Sequence, residues 1–562
     1  MIPAVLKIEE NESGTYILPW NFITISGNIM EAYMQVFLAR LNRISTYKLV
    51  QISIVDKGAN IDFITNKNLL EEEYCITINR DGIIVETSSF HGLSNALTTL
   101  FLKIFEDKGK LKFAKISDQP LYAYRGFMLD VSRHFFPIDE VKKLIEQCAL
   151  LKLNKFHWHL SDDQGFRIES KVFPQINEIG SKRKETNGVI YSGYYSQKEI
   201  RDVVKYAQDR FIDVIPEIDI PGHTTAMIAS YPELSCSKEK IEVANSAGIY
   251  SSILCPGKES TYSFLYQLLD EICNLFPYEY FHIGGDEAPK SEWKKCPDCQ
   301  EVMKENDFNN YEQLQALFTM KIIAYLKTKG KKVICWNDAV ASTSLDQEVV
   351  VQYWAEFGLK KGYTWKEVDK NRQFILSNYS YFYCDQSYAQ IPLQATYQFS
   401  PFLRNVKKLP SENIFGIEAP LWTEYLVDGK DIEKMCFPRL LAVAERGWSN
   451  KRNYPEFMKR VLIYLDVLKA FDVEYTPYQD ASLHGLKRIN TLITNIEKVL
   501  GERIGDGEIT PHVPDSCTND QEHNIIKMAI ELYGVGFNKF EILILLLKLS
   551  KMQQKIKSKV KL

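Results

Sequence analysis

The stretch YEYFHIGGDEAPK, Tyr278–Lys290, joins an aromatic and apolar run to two glycines and two adjacent acids. The run predicts a buried β-strand, along which neighbouring side chains point to opposite faces. At the end of the strand, Gly284 and Gly285 permit a turn that aims both Asp286 and Glu287 into one cleft. Polar residues in this position are typical of parallel α/β folds, which build their sites at the carboxyl ends of the strands.

The same arrangement recurs between residues 120 and 425, where amphipathic helices separate several of the strand candidates. Eight segments predict strands: YRGFMLDVS, KFHWHLSDD, IDVIPEID, YFHIGGDE, KVICWND, VVVQYW, QFILSNYSYFY and FGIEAPLW. Acids stand at or just past the ends of these segments: Asp130, Asp162, Asp163, Glu217, Asp219, Asp286, Glu287, Asp338 and Glu424. Eight units favour a closed (β/α)8 TIM barrel over an open doubly wound sheet, and no GxGxxG follows any strand.

Different patterns flank the barrel. Before it, YKLVQISIV and EEYCITINRDGIIVETS predict strands, the latter a hairpin with an RDG turn, and GLSNALTTLFLKIFED predicts a helix. After it, the pattern is helical and ends in the basic tail KMQQKIKSKVKL. The sequence thus predicts an α/β chain with an α+β domain at 1–117, a catalytic barrel at 118–455 and a helical C-terminal region at 456–562.

Composition excludes several classes of partner. The 562 residues carry 68 basic and 72 acidic side chains, so a net charge of −4 gives no electrostatic reason to expect nucleic acid or an anionic membrane. The longest apolar run, EILILLLKLS, is interrupted by Lys548 and is far shorter than the roughly 20 residues that span a bilayer. No secretory signal is visible, which predicts a cytoplasmic protein, or a secreted or periplasmic one if a signal was removed. Oligomeric state is not predicted.

The paired acids suggest chemistry. Two close carboxylates in an aromatic pocket resist ionising together, so one stays protonated as a general acid, as glycoside cleavage requires. The alternative is that one acid is a solvated loop residue. Trp336, Trp354 and Trp422 each end a successive strand candidate, so a barrel gathers them at one mouth, where a small apolar box suits a methyl group.

Two groups of residues raise the question of a metal. In HWHLSDDQ, His157 and His159 share one face of a strand but the acids lie beyond it, so His223 is instead expected to pair with one of these acids. The eleven cysteines are mostly isolated; only Cys296 and Cys299 form a CxxC, and a single CxxC favours two free thiols or a loop staple over zinc.

A series of motifs over roughly residues 120–450 resembles the glycoside hydrolase family 20 β-N-acetylhexosaminidases. The motifs are RGFMLDVSRHFFP, NKFHWHLSDDQGFRIES, PEIDIPGHTTAMIASYPEL, FHIGGDE, WND, YFYCD, EAPLWTE and AERGWSN, in that order. The N-terminal segment also looks like the small domain that precedes the barrel in this family. Phe166 departs from the pattern, because the family often has Trp there, which predicts an altered outer contact, and residues after about 478 exceed the family's usual end.

The resemblance implies an exo-acting, retaining enzyme that removes terminal β-linked N-acetylglucosamine, with N-acetylgalactosamine as a second candidate, through an oxazolinium formed by the substrate's own acetamido group. It implies that Glu287 is the general acid and base and that Asp286 holds the acetamido N–H. No metal and no other cofactor is implied, and the partner is an oligosaccharide or glycoconjugate.

The resemblance also implies roles for the other site residues. Tyr383 would bind the acetamido oxygen, and the three tryptophans would enclose the methyl group. Sugar hydroxyls would be bound by Arg133, Glu424 and Asp385, while Asp162 and His223 would form a supporting dyad. Two alternatives stay open: a non-catalytic sugar-binding barrel, and a metal-dependent hydrolase that uses the His and Asp cluster.

Overall fold

The computed structural model describes residues 1–10, 13–27, 29–45, 50–340, 345–354, 372–401, 410–483 and 487–494. Within these ranges, the N-terminal domain holds a seven-stranded mixed sheet of order β1-β9-β6-β7-β5-β3-β4 and a separate β2–β8 pair. Its strands are Lys7–Glu9 (β1), Thr15–Ile17 (β2), Phe22–Gly27 (β3), Gln51–Ile54 (β4), Ile61–Thr65 (β5), Tyr74–Ile78 (β6), Ile83–Thr87 (β7), Lys110–Lys112 (β8) and Ala114–Asp118 (β9).

Local signals in the sequence determine the turns and helix ends of this domain. Strands β6 and β7 form the predicted hairpin, and Asn79 Oδ1 accepts backbone hydrogen bonds from Asp81 and Gly82 in its RDG turn. Helices Glu31–Ile44 (α1) and Phe90–Glu106 (α2) complete the domain. The side chain of Ser89 caps α2 by accepting hydrogen bonds from the first backbone N–H groups of the helix.

Twelve further strands follow in the described residues, and eight of them close a parallel barrel in the order β10-β11-β16-β17-β18-β19-β20-β21. They are Tyr124–Asp130 (β10), Lys155–His159 (β11), Ser161–Asp162 (β12), Gly165–Phe166 (β13), Lys182–Lys184 (β14), Ile190–Ser192 (β15), Asp213–Glu217 (β16), Tyr280–His282 (β17), Lys332–Trp336 (β18), Val350–Tyr353 (β19), Phe374–Leu376 (β20) and Ile414–Leu421 (β21). The remaining four form the hairpins β12–β13 and β14–β15. All eight predicted barrel strands are present, which confirms the TIM barrel.

The seventh strand is shorter than the sequence suggested. It covers Phe374–Leu376, and Tyr379–Phe382 instead forms a helical turn. The described helices from here on are Ile138–Leu150 (α3), Gln175–Glu178 (α4), Gln197–Gln208 (α5), Thr225–Ser230 (α6), Glu259–Cys273 (α7), Pro297–Glu305 (α8), Tyr311–Thr328 (α9), Tyr379–Phe382 (α10), Leu393–Gln398 (α11), Gly429–Cys436 (α12), Arg439–Trp448 (α13), Tyr454–Ala470 (α14) and Tyr478–Ala481 (α15). None of the helices in the described part of the chain is both long and apolar enough to cross a membrane.

Buried polar contacts join the N-terminal domain to the barrel. Asp118, at the end of β9, accepts a 3.0 Å hydrogen bond from the indole of Trp448 and pairs with Lys152 at 3.0 Å. The guanidinium of Arg125 on β10 pairs with Glu72 at 2.5 Å. The predicted boundary at 117/118 lies beside these contacts, the one at 455/456 falls in the first turn of α14, and both stay predictions. The basic tail and the apolar run near residue 545 lie outside the described residues.

Candidate active site

The two glycines after β17 make the turn that the sequence predicted. Gly284 and Gly285 have φ angles of +62° and +98°, in the left-handed region where side chains are disfavoured. A Cβ on Gly284 would lie 1.8 Å from Oδ1 of Asp219, and one on Gly285 would lie 2.7 Å from Cβ of Ala339. The turn therefore needs glycine both for its backbone angles and for its close packing.

Asp286 and Glu287 face the same cleft because the turn continues through Glu287, whose own φ is +43°. Nε2 of His223 lies 3.7 Å from Oε2 of Glu287 and 3.8 Å from Oδ2 of Asp286. His223, which follows β16, is itself held at φ +52°. Left-handed non-glycine residues are costly and cluster at functional sites, so the backbone here is shaped for the placement of these side chains.

The other ring nitrogen of His223 meets two carboxylates. Nδ1 lies 3.2 Å from Oδ1 of Asp162 and 3.2 Å from Oδ2 of Asp163. Oδ1 of Asp163 accepts hydrogen bonds from the backbone N–H and the hydroxyl of Thr225, at 3.0 and 2.5 Å. His223 was expected to pair with one of these two acids and instead contacts both, so the predicted dyad of Asp162 and His223 is a cluster of three that includes Asp163.

The carboxylates around His223 favour the protonated form of its imidazole. Burial alone would lower its pKa, but the adjoining carboxylates, Asp162 first, raise the pKa of the imidazole well above its ordinary value. A protonated imidazole donates from both nitrogens, and the positions of the surrounding carboxylates match this. His223 therefore links the buried acids of β12 to the two acids in the cleft.

Asp286 is a buried carboxyl with spare hydrogen-bonding capacity. Its Oδ1 is buried and has no hydrogen-bond partner among the described residues. Burial raises the pKa of Asp286 to about 7; the charge of His223 opposes this rise and the carboxylate of Glu287 adds to it. A buried acceptor without a partner is costly, so this oxygen is suited to bind a polar group of a ligand.

A cation and two further acids line another part of the cleft. The guanidinium of Arg133 pairs with Asp162 at 2.8 Å, lies 4.0 Å from Oε1 of Glu424 and sits 4.7 Å from the centre of the Trp422 ring. Oδ1 of Asp385 is buried without a partner in the described residues. Burial, with the nearby Glu424 carboxylate, raises the pKa of Asp385 to about 7. These groups offer both donors and acceptors to hydroxyls.

Four aromatic rings form one wall of the cleft: the three tryptophans that the sequence places at one mouth of the barrel, and Tyr383. Ring centres of Trp336 and Trp422 are 5.9 Å apart, those of Trp422 and Tyr383 6.5 Å, and those of Tyr383 and Trp354 6.4 Å. The indole N–H of Trp336 donates to Glu217 at 2.8 Å. The rings thus present apolar faces to the cleft while a polar edge is anchored in the protein.

Below this wall, the barrel interior holds a network in which buried glutamates pair with histidine imidazoles. Glu217 contacts His157 at 3.0 Å, His159 at 2.5 Å and His282 at 2.9 Å, and His157 also pairs with Glu418 at 2.9 Å. Burial lowers the pKa of His157, but the two glutamates outweigh it and raise that pKa to about 9. The donor atoms of His157, Glu217 and His282 lie close together, and here they pair with one another, imidazole against carboxylate.

The cleft has a volume of about 240 Å³. Its lining contains every predicted site residue except Asp162, which lies beneath Arg133, together with three aromatic or polar residues that were not predicted. The full lining is Arg133, His223, Asp286, Glu287, Trp336, Trp354, Tyr379, Tyr383, Asp385, Gln386, Trp422, Glu424 and Tyr425.

The additional lining residues Tyr379, Gln386 and Tyr425 flank the motifs YFYCD and EAPLWTE, which is the only signal in the sequence that could have found them. Phe166 is fully buried in the core, so it makes no outer contact, in contrast to the prediction.

The barrel is similar in sequence to known glycoside hydrolases. Residues 122–451 match the glycosyl hydrolase family 20 catalytic domain. The β-hexosaminidase of Vibrio furnissii is 35% identical over 419 residues, which cover 70% of this chain and 68% of that protein. The β-hexosaminidase of Porphyromonas gingivalis is 33% identical over 491 residues, which cover 82% of this chain but 62% of the length of that protein.

Solved structures show the same fold. The exo-β-N-acetylglucosaminidase of Vibrio harveyi, solved with N-acetylglucosamine, is 30% identical with a TM-score of 0.75, covering 85% of this chain and 78% of that one. A variant of Streptomyces plicatus β-hexosaminidase, solved with its product GlcNAc, is 28% identical with a TM-score of 0.74, covering 85% and 97%.

A TIM barrel with paired acids, an aromatic wall and buried charged groups at its mouth is typical of a glycoside hydrolase. The chain belongs to glycosyl hydrolase family 20. It is an enzyme of the β-hexosaminidase type, as the sequence predicted.

Proposed function

We propose that this enzyme is an exo-acting, retaining β-N-acetylhexosaminidase that releases terminal β-linked N-acetylglucosamine, with N-acetylgalactosamine as the second candidate. The observation that carries the proposal is the convergence of the Asp286 and Glu287 carboxyls on Nε2 of His223, beside an aromatic wall. The cleft volume of about 240 Å³ is below the roughly 300–1,000 Å³ of drug-sized ligand sites, which favours one sugar ring and thus exo action.

In the first step, the carbonyl oxygen of the substrate's 2-acetamido group attacks C1 while Glu287 gives its proton to the departing glycosidic oxygen. Asp286 accepts a hydrogen bond from the acetamido N–H through its partnerless Oδ1, and its negative charge stabilises the oxazolinium that forms. The hydroxyl of Tyr383 holds the acetamido oxygen, and Trp336, Trp354 and Trp422 enclose the methyl group.

In the second step, Glu287 takes a proton from a water molecule, which attacks C1 and opens the oxazolinium ring. Two successive inversions at C1 give net retention. Arg133 and Glu424 bind ring hydroxyls, Asp385 binds the hydroxyl at C4 or C6, and His223 with Asp162 and Asp163 holds the acids in position. The N-acetylglucosamine seen in the Vibrio harveyi structure supports this choice of sugar.

The proposal is tested with Glu287→Gln and with an unreactive thiazoline analogue of the oxazolinium. We expect the variant to lose about 10² to 10⁴-fold in turnover, most strongly on glycosides with poor leaving groups, while the KM stays similar. Glu292→Gln, in the same loop, is the matched control and should keep full activity. Normal hydrolysis of unactivated glycosides by Glu287→Gln, or equal inhibition by plain glucose derivatives, would contradict the proposal.

The two alternatives give different results. A sugar-binding barrel would bind N-acetylglucosamine without releasing product, and product NMR would show no β-anomer forming first. A metal-dependent hydrolase would lose all activity at once in a brief exposure to EDTA and regain it with added zinc. We expect rapid release of the β-anomer and full activity during such an exposure.

A further inference from the structure

Four cysteines from three separate segments gather next to the catalytic loop. Cys236 follows the short turn Pro232–Leu234, Cys255 precedes α7, and Cys296 and Cys299 stand at the start of α8. All four Sγ atoms lie within 4.8 Å of one another, and three of the cysteines are buried. The isolated CxxC of the sequence therefore has a second pair beside it, brought there by the fold.

Three of the six separations among the sulfur atoms match those of a tetrahedral thiolate site. Sγ of Cys255 lies 3.7 Å from that of Cys296 and 3.6 Å from that of Cys299, and the Cys236–Cys299 separation is 3.8 Å. Four ligands at about 2.3 Å from a zinc ion lie about 3.8 Å from each other at the corners of a tetrahedron. All four are unbridged thiols, whereas a disulfide bond brings two sulfurs to about 2.05 Å.

The backbone around the cluster is interlocked, so the four sulfurs are held in place. A Cβ on Gly257 would lie 2.5 Å from the backbone nitrogen of Cys299, because the chain after Cys255 passes directly against the first turn of α8. The backbone N–H of Cys255 donates to Leu234 at 2.8 Å, and the indole of Trp293 donates to Leu254 at 2.9 Å. Gly257 thus permits the approach of the two ligand-bearing segments.

We propose that Cys236, Cys255, Cys296 and Cys299 bind one structural zinc ion. Each thiol releases its proton to solvent as it binds, so the ion is held by four thiolates. Four protein ligands leave no open position for water or substrate, which makes the site structural and not catalytic. Hydrolysis transfers no electrons, so a metal with a single oxidation state suits the site better than iron.

The position of the site gives the ion a role. Ala288, the residue after Glu287, belongs to the same buried apolar cluster as Cys255, Cys296 and Cys299. The ion would tie the segment that continues from the catalytic turn to the loops after β16. It would thereby hold the backbone at Glu287 in its left-handed conformation without taking part in the reaction.

The test measures metal in the purified protein by elemental analysis, together with zinc released when a mercurial reagent modifies the thiols. We expect about one zinc per chain, released as the cluster thiols react. Cys299→Ser should remove it, whereas Cys273→Ser, a half-buried cysteine outside the cluster, should keep it. Protein grown with cobalt should show the absorption of tetrahedral cobalt thiolate.

Wild-type protein that is folded and zinc-free after exposure to zinc, that contains iron instead, or whose cluster cysteines are disulfide-bonded would overturn the inference. These measurements do not depend on activity, so the zinc site and the proposed function are tested independently. The release experiment uses wild-type protein, so it remains decisive if Cys299→Ser does not fold.

Discussion

His223 lies between Asp163 and Glu287, with Nδ1 3.2 Å from Oδ2 of the former and Nε2 3.7 Å from Oε2 of the latter. In the proposed mechanism, this arrangement makes Asp163 a positioning residue that acts on Glu287 through an imidazole. Asp162, the neighbour in the chain, is held by Arg133 and also contacts the same imidazole.

The two aspartates should differ when changed separately. Asp163→Asn should lower kcat by about 10²-fold with little change in KM, because a displaced His223 no longer orients Glu287. Asp162→Asn should also raise KM, since Arg133 loses its nearest ion-pair partner, at 2.8 Å. Steady-state kinetics on a β-N-acetylglucosaminide distinguishes the two patterns, and identical effects on kcat and KM would refute the separate roles.

Tyr383→Phe should lower kcat by about 10² to 10³-fold, because it removes the one hydroxyl proposed to bind the acetamido oxygen as charge develops. Tyr379→Phe is the matched control: its ring centre lies 5.0 Å from that of Tyr383 and its hydroxyl accepts a hydrogen bond from Gln390. The control should keep most of its turnover, and equal losses in the two variants would assign the effect to packing.

The pH dependence of kcat/KM should show an acidic limb near pH 7. Burial, opposed by His223, raises the pKa of Asp286 to about 7, so in the free enzyme this carboxyl is neutral below that pH and charged above it. Only the charged form stabilises the oxazolinium, so kcat/KM should rise with pH through this limb. In Asp286→Asn the limb should vanish along with most of the rate; a limb that persists belongs to another group.

Stability should depend on pH through Asp385. Burial raises its folded pKa to about 7 from an ordinary value of 3.8, so its contribution to stability is present at low pH and is lost as pH rises through the folded pKa. One pKa unit corresponds to about 1.36 kcal/mol, so the loss amounts to at most about 4 kcal/mol. Asp385→Asn should not show this loss of stability, because an amide does not ionise.

The unfolding midpoint of Asp385→Asn should therefore rise relative to that of the wild type between pH 4 and pH 8. Asp202→Asn, a mostly exposed position on α5, should show no such trend. A difference between Asp385→Asn and wild type that is constant over this range would mean that the pKa of Asp385 in the fold is not raised above its ordinary value.

Gly284→Ala should abolish the active conformation of the catalytic turn. Its φ is +62° and the new methyl group would meet Asp219 at 1.8 Å, so strain and overlap add. Gly330→Ala, with φ +73° and nothing within 4 Å, isolates the backbone term of about 1–2 kcal/mol. Thermal unfolding and activity of the two variants separate the cost of the backbone angle from the cost of the overlap with Asp219. Equal losses of stability and activity in the two variants would show that the close contact with Asp219 is unimportant.

The barrel, and the acids and tryptophans at its mouth, could be predicted from the sequence because these residues marked the strand ends. The predictions for Arg133, Tyr383 and Asp385 came from the family resemblance alone. The turn at Gly284 and Gly285 was predictable from two adjacent glycines before two acids. What could not be predicted depends on tertiary approach. The two carboxylates of Asp162 and Asp163 follow each other in the chain, and only their fixed orientations show that both reach His223.

The cysteine cluster illustrates the same limit. Cys236 and Cys255 are separated in sequence from the CxxC, and no local pattern says which distant cysteines will approach it. Gly257 allows the segment after Cys255 to pack closely against α8, but this contact is visible only in the folded structure. The predicted length of the seventh strand was wrong for a local reason, because the apolar and aromatic run at Phe374–Tyr383 suits either a strand or a helical turn.

Trp336 is anchored to Glu217 at the centre of the barrel, so the deep part of the cleft is held more firmly than its rim. The deep part cannot adapt, because a change there would disturb the paired acids and imidazoles that fill the barrel. The rim is unconstrained by comparison: the side chain of Tyr425 is 73% exposed. Substitutions at the rim can therefore change which group is accepted beyond the sugar, while the interior keeps the pocket for the proposed acetamido-bearing sugar unchanged.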